Sequence, residues 1–163
     1  MDVGIRVTAN ITDQSLVARR LLDLEVQLFA SPRYLARGRT PPKRPEDLKE
    51  HAVIGFELGS LGSAEWTLQK ERSSARVPLA PKIVVDEFTC AKAMLMAGGG
   101  IGVLPSFVAA SALAVGDLVR VLPEWSVARA PVYLIHAGGT KPAARISAFC
   151  NFMFDRFRGS SQL

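Results

Sequence analysis

The chain has 163 residues, 48% of them hydrophobic and 21% charged, which suits one ordinary domain or two small lobes and excludes a large multidomain enzyme, a disordered chain and a collagen-like repeat. Twenty Lys and Arg against fifteen Asp and Glu leave a formal charge of +5, which raises the question of nucleic acid without answering it. Two cysteines, Cys90 and Cys150, lie far apart in apolar surroundings, so neither a disulfide framework nor a zinc site is supported.

The chain opens abruptly on a strand, Val3–Val7, with no basic and apolar leader, so a cytoplasmic location is expected and the Asn10-Ile11-Thr12 sequon is chance. Further short, β-branched strands are predicted over Val26–Ala30, Val53–Phe56, Ile83–Val85, Ile101–Leu104, Leu118–Leu122 and Val132–His136. Most are continuous apolar runs, as in a parallel or mixed sheet covered by helices. Ser31-Pro32 can cap and begin a helix, and Pro45-Glu46-Asp47-Leu48 begins another. A third helix runs from Phe88 to Ala97 and is stopped by Gly98-Gly99-Gly100. Ala93 to Gly116 carries no charge, but those glycines and Pro105 divide it into helix end, turn, buried strand and helix rather than a membrane span. In the last helix Ile146, Phe149, Cys150, Met153, Phe154 and Phe157 recur on one face, which calls for an apolar surface to dock on. Looser stretches are Gly38–Pro45, Gly59–Ser63 and Ala137–Pro142.

No catalytic constellation can be assembled. His51 and His136, the only histidines, have neither a cysteine, a Gly-x-Ser-x-Gly elbow nor metal-ligand spacing beside them. Gly98-Gly99-Gly100-Ile101-Gly102 follows a helix and lacks the spacing of a phosphate or dinucleotide cradle, so backbone geometry is its expected task. The basic cluster Arg33, Arg37, Arg39, Lys43 and Arg44 could meet phosphate, yet without interleaved aromatics it reads as a solvated surface, and Arg19 and Arg20 read the same way. What does suggest a site is the β-α-β unit of Ile83–Val85, the helix from Phe88, and Ile101–Leu104, because ligands collect at the carboxyl ends of such strands near free helix N–H groups. Asp86 and Glu87 there can cap those amides and repel an anion.

Several stretches in order resemble the effector-binding domain of LysR-type transcriptional regulators. They are Asp2-Val3-Gly4-Ile5-Arg6, Leu16-Val17-Ala18-Arg19-Arg20-Leu21, Phe29-Ala30-Ser31-Pro32-Arg33-Tyr34-Leu35, Pro45-Glu46-Asp47-Leu48 with His51, and Gly55-Phe56. Trp66, the Asp86-to-Ala97 helix, Gly100-Ile101-Gly102-Val103-Leu104-Pro105, Gly116-Asp117-Leu118-Val119-Arg120-Val121-Leu122-Pro123 and the Ala143–Phe157 helix continue the series over essentially the whole chain. The resemblance implies an α/β fold like that of periplasmic binding proteins, with mixed sheets, two lobes and a small effector held between them.

Under it, residues 1–22 are a remnant of lobe I, residues 23–137 form lobe II, and residues 138–163 return to lobe I as a C-terminal helix. The family's winged helix-turn-helix, linker helix and opening β-α-β portion of lobe I have no counterpart here, so lobe I is expected to be incomplete. The stripe of Phe149, Met153 and Phe157 then lacks part of its docking surface, and self-association is expected to cover it. The effector contacts implied are Val7 and Thr8; Phe56, Glu57, Leu58, Gly59 and Ser60; Glu87, Phe88 and Thr89; and Pro105 as a floor. No cofactor, metal or membrane is called for, and DNA is met only through the helix-turn-helix. The rival readings are a solute-binding protein, which needs an export signal, and a small α/β enzyme, which needs an acid–base pair or nucleophile that the residues do not supply.

Overall fold

The computed structural model describes residues 3–7, 15–37, 40–57, 64–138 and 143–157. Two compact units emerge: residues 25–128, and residues 1–24 together with 129–163. The chain passes between them twice, within strand β2 (Leu16–Ala30) and at the start of strand β9 (Ala128–Ala137).

The 25–128 unit is built on the second half of β2, where Val26, Leu28, Phe29 and Ala30 are buried. Strand β7 (Gly102–Pro105) pairs antiparallel with it through Val26↔Pro105 to Phe29↔Gly102, and β8 (Val119–Val121) does so on the other edge. A parallel bridge, Val53↔Ile101, then sets β3 (Ile54–Phe56) beside β7, and β3 pairs in parallel with β6 (Ile83–Val85). The strands are therefore mixed in direction, with β6, β3 and β7 all running the same way. Every residue of β3 and β7 is buried, as continuous apolar runs demand of strands covered on both sides.

Local chemistry fixes the ends of these elements. Ser31 caps the one-turn helix α1 (Pro32–Leu35), its hydroxyl accepting the Tyr34 amide at 3.3 Å. The stretch begun by Pro45 closes as a 3-10 turn, Pro45–Glu50, rather than an α-helix, and the Asp47 carboxylate accepts the amides of Lys43 and Arg44, each at 3.0 Å. Helix α2 (Phe88–Met96) ends with the Gly98 amide on the Leu95 carbonyl and the Gly99 amide on the Met94 carbonyl, a Schellman closure that places Gly98 at φ +82°. Gly100 then meets strand β3: a Cβ there would lie 2.4 Å from the Ala52 carbonyl oxygen, which accepts the Ile101 amide at 2.9 Å. Helix α3 (Ser106–Ala114) starts directly after β7, with Ser106 Oγ donating to the Glu25 carbonyl at 3.1 Å.

One element of this unit is absent from the sequence expectations. Residues Glu65–Lys70 (β4) and Ser73–Pro78 (β5) form a hairpin in register from Glu65↔Pro78 to Lys70↔Ser73. Its inward side chains Trp66, Leu68 and Val77 are buried, while Glu71 at the two-residue turn adopts φ +46°. Lys70 at the turn pairs with Glu124.

In the other unit, β1 (Gly4–Val7) pairs antiparallel with β9 from Gly4↔Ile135 to Val7↔Val132, and β9 adjoins the first half of β2. Leu16–Leu24 is thus strand, extending the predicted Val26–Ala30 strand backwards by ten residues. Helix α4 (Ala144–Phe157) buries Cys150 and half-buries Ile146, Met153, Phe154 and Phe157, but Phe149 is 44% exposed and Phe152 63% exposed. Ile5 and Val7 of β1 are likewise more than half exposed. Arg19 and Arg20 are exposed, as expected of a solvated surface, and each also has a partner: the Arg19 guanidinium lies 4.0 Å over the Phe154 ring, and Arg20 pairs with Asp23. That pairing holds the Arg20 pKa above its ordinary value, chiefly through its hydrogen bond to Asp23.

Candidate functional site

The carboxyl ends of β3, β6 and β7 form one edge of the 25–128 unit, because the three strands run in parallel from the pairs Ile54↔Ile83 and Val53↔Ile101. Phe56 closes β3 and Val85 closes β6, and the Glu57 amide donates to the Val85 carbonyl at 3.0 Å, so Glu57 and Asp86 leave the sheet side by side. Helix α2 starts two residues later. Its first residue, Phe88, lays its ring flat on that of Phe56, with centroids 4.1 Å apart and planes 4° from parallel. Phe56 is 1% exposed and Phe88 half-buried, so Phe88 covers Phe56 and its own outer side is the aromatic surface left at this edge.

The helix N-terminus at this edge is already occupied. Glu87 stands at the N-cap and its carboxylate accepts the Thr89 amide at 3.0 Å, the Cys90 amide at 3.3 Å and the Thr89 hydroxyl. The amides that could greet an anion are therefore satisfied by the chain's own acid, with exposed Glu57 nearby in the same turn region. What the edge offers is the aromatic surface of Phe88, three carboxylates (Glu57, Asp86 and Glu87) and the hydroxyl of Thr89, and among the described residues there no nucleophile activated by a base.

Of the residues singled out from sequence, Phe56, Glu57, Glu87, Phe88 and Thr89 come together here. Pro105, buried at the end of β7, closes the same edge where the chain turns into α3. Val7 ends β1 in the other unit and pairs with Val132. Thr8, Leu58, Gly59 and Ser60 lie outside the described residues. Of the basic cluster, Arg33, Arg37, Lys43 and Arg44 are described, and Arg44 pairs with Asp47 at 3.6 Å, whereas Arg39 lies outside. Among the described residues no three His, Cys, Asp or Glu side chains are grouped to hold a metal ion, and no helix is long and apolar enough to cross a membrane.

Sequence reasoning missed one polar arrangement. The Tyr34 hydroxyl accepts the Ala52 amide at 2.8 Å and lies 3.2 Å from His51 Nδ1. Its only sequence signal is the order of Tyr34 and His51 in the resembling stretches, since seventeen residues separate them.

Comparison with known proteins places the chain as a whole among relatives. The profile of the LysR substrate binding domain matches residues 1–158. The HTH-type transcriptional regulator PtxR of Pseudomonas aeruginosa is 31% identical over 137 residues, covering 84% of this chain and 43% of that protein. An HTH-type transcriptional repressor of another strain of that species is 30% identical over 164 residues, covering 100% of this chain and 51% of its own. The chain thus spans about half the length of the curated relatives it matches. Among solved structures, the regulatory domain of AphB from Vibrio vulnificus superposes with a TM-score of 0.83 at 24% identity, covering 94% of this chain and 75% of that one. The regulatory domain of CrgA from Neisseria meningitidis does so with a TM-score of 0.78 at 26% identity, covering 96% and 75%. The α/β fold is that of these regulatory domains, which are like periplasmic binding proteins.

Proposed function

The chain belongs to the LysR substrate-binding domain family, and on that premise we propose that it is the effector-sensing part of a cytoplasmic bacterial transcriptional regulator. The observation that carries this reading is the family match from residue 1 to residue 158. The relatives that resemble it are named as regulators and not as enzymes, and the edge described above offers binding surfaces rather than reactive pairs.

In this reading a small molecule rests against Phe88, which is backed by the buried ring of Phe56, with Glu57, Glu87 and Thr89 as polar contacts and Pro105 as floor. Binding shifts an existing conformational equilibrium by its differential affinity for two states, and only that difference can be transmitted. DNA is contacted by the helix-turn-helix of the longer regulator, and the sensing parts self-associate. The exposed Ile5, Val7, Phe149 and Phe152 support that association, since apolar surface of this kind is stabilised by burial at roughly 25 cal/mol per Å².

The test is a thermal-shift screen of the complete regulator against small aromatic, carboxylate and amine compounds, followed by promoter occupancy with each compound that raises the melting temperature. A ligand at a hundred times its Kd stabilises by about 2.7 kcal/mol, a shift easily read. If every class leaves both the melting temperature and the occupancy unchanged, the sensing role is wrong.

A further inference from the structure

A groove lies on the 25–128 unit away from the strand ends just described, between the 3-10 turn Pro45–Glu50 and the segment leaving β5. Its volume is about 310 Å³, within the size range of small-ligand sites. Pro78, Leu79 and Ala80 supply the accessible apolar wall, over the buried Leu48 and Val53, and Lys49 and His51 supply the polar side chains; none of the residues lining it is acidic.

The hydrogen-bond network fixes what His51 can offer. Tyr34 is 7% exposed, and its hydroxyl oxygen already accepts the Ala52 amide. Were His51 Nδ1 protonated, the hydroxyl would have to accept a second hydrogen and its own proton would be left buried without a partner. Full satisfaction requires the tyrosine to donate to Nδ1 across the 3.2 Å contact, which leaves the neutral imidazole protonated on Nε2. His51 therefore lines the groove as a donor, and Lys49 contributes an ammonium, which donates and never accepts. A groove with apolar side chains and polar side chains that only donate favours an acceptor group joined to an apolar body.

We propose that this groove is a second small-molecule site, for a small monocarboxylate with an aliphatic or aromatic body. It is independent of the effector edge: it uses Val53, just before the amino-terminal end of β3, whereas the effector reading uses the carboxyl end, at Phe56.

The experiment is an amide NMR titration of this chain with sodium benzoate, with benzamide and sodium chloride as controls. Saturable shifts are expected at Lys49, His51, Val53, Leu79 and Ala80, with benzamide binding at least about tenfold more weakly because it lacks the charge. Lys49→Gln, at an exposed position, should weaken benzoate by about the same factor without altering the amide spectrum elsewhere. Tyr34→Phe, its fold checked by the same spectrum, should release His51 into a mixture of tautomers in long-range proton–nitrogen spectra and weaken benzoate several-fold. Absence of saturable shifts at the groove, equal binding of benzamide, or an unchanged affinity in Lys49→Gln would overturn the proposal. Shifts confined to Phe56, Phe88 and Thr89 would also overturn it while leaving the effector reading intact.

Discussion

Gly100 and Gly116 both adopt positive φ, at +152° and +80°, yet their surroundings differ completely. A Cβ on Gly100 would sit 2.4 Å from the Ala52 oxygen and 2.9 Å from its carbon, both backbone atoms; a Cβ on Gly116 meets nothing within 4 Å. Alanine at position 116 thus costs only the conformational strain, about 1–2 kcal/mol. At position 100, where φ lies well beyond the left-handed region, at least that strain is joined by a displacement of the Ala52 carbonyl of nearly an ångström, on the order of what van der Waals contact between such atoms requires. That movement breaks the 2.9 Å bond from the Ile101 amide and loosens the reciprocal bond from the Ile54 amide to the Ile101 carbonyl. Losing that bond with the buried Ile101 amide unsatisfied costs about 1–3 kcal/mol, so Gly100→Ala should cost roughly 2–5 kcal/mol in all, a large part of an ordinary domain's stability. Urea unfolding followed by tryptophan fluorescence suits the purpose, since Trp66 and Trp125, the chain's two tryptophans, both belong to the 25–128 unit. Equal costs for Gly100→Ala and Gly116→Ala would refute the view that close approach to β3, rather than backbone conformation, requires glycine at position 100.

Other consequences can be measured with the same means. Glu71→Gly at the β4–β5 turn removes the strain of a non-glycine residue at φ +46°, offset by glycine's greater entropy in the unfolded chain, and should stabilise by about 0.5–1 kcal/mol in urea melts. Phe149→Lys with Phe152→Lys places charges on the exposed part of α4; sedimentation should show the wild-type chain associating at micromolar concentration and the double variant shifted toward monomer, and a well-folded wild-type monomer there would contradict the self-association proposed. The Asp47 pKa is held below the ordinary carboxylate value, first by the amides of Lys43 and Arg44, so its contribution is present at neutral pH and is lost only as pH falls through that lowered value. Melting temperatures of wild type and Asp47→Ala should accordingly differ at pH 7 and converge toward the acid end of the titration.

Much of the architecture is legible in the residues because local chemistry and burial agree. The apolar runs at Ile83–Val85 and Ile101–Leu104, the serine–proline start at Ser31 and the glycine stop after α2 each signal one element, and each forms, the second strand one residue later, at Gly102–Pro105. The β4–β5 hairpin is harder to read because its turn residues are Glu71 and Arg72 rather than glycine or asparagine. Its alternating Trp66 and Leu68 were the available sign. The first half of β2 is set by pairing with β9, a tertiary choice that overrides the composition of Leu16–Leu24, where Arg19, Arg20 and Asp23 interrupt any run. At the site, the strand ends and the Glu87 cap follow from spacing. The stacking of Phe56 on Phe88 does not, since it depends on the parallel pairing of β3 with β6 across a hairpin that the sequence leaves unmarked.

The cysteines also equip the protein for spectroscopy. Cys90 is exposed and Cys150 is buried in α4, so a thiol-reactive fluorophore will attach at one position in the folded chain without any mutation. That position is the third residue of α2, within two residues of Phe88 and held by its amide to Glu87. A dye there reports polarity changes at the aromatic edge as compounds are added, and labelling rate under native conditions measures how often α4 opens to release its second thiol.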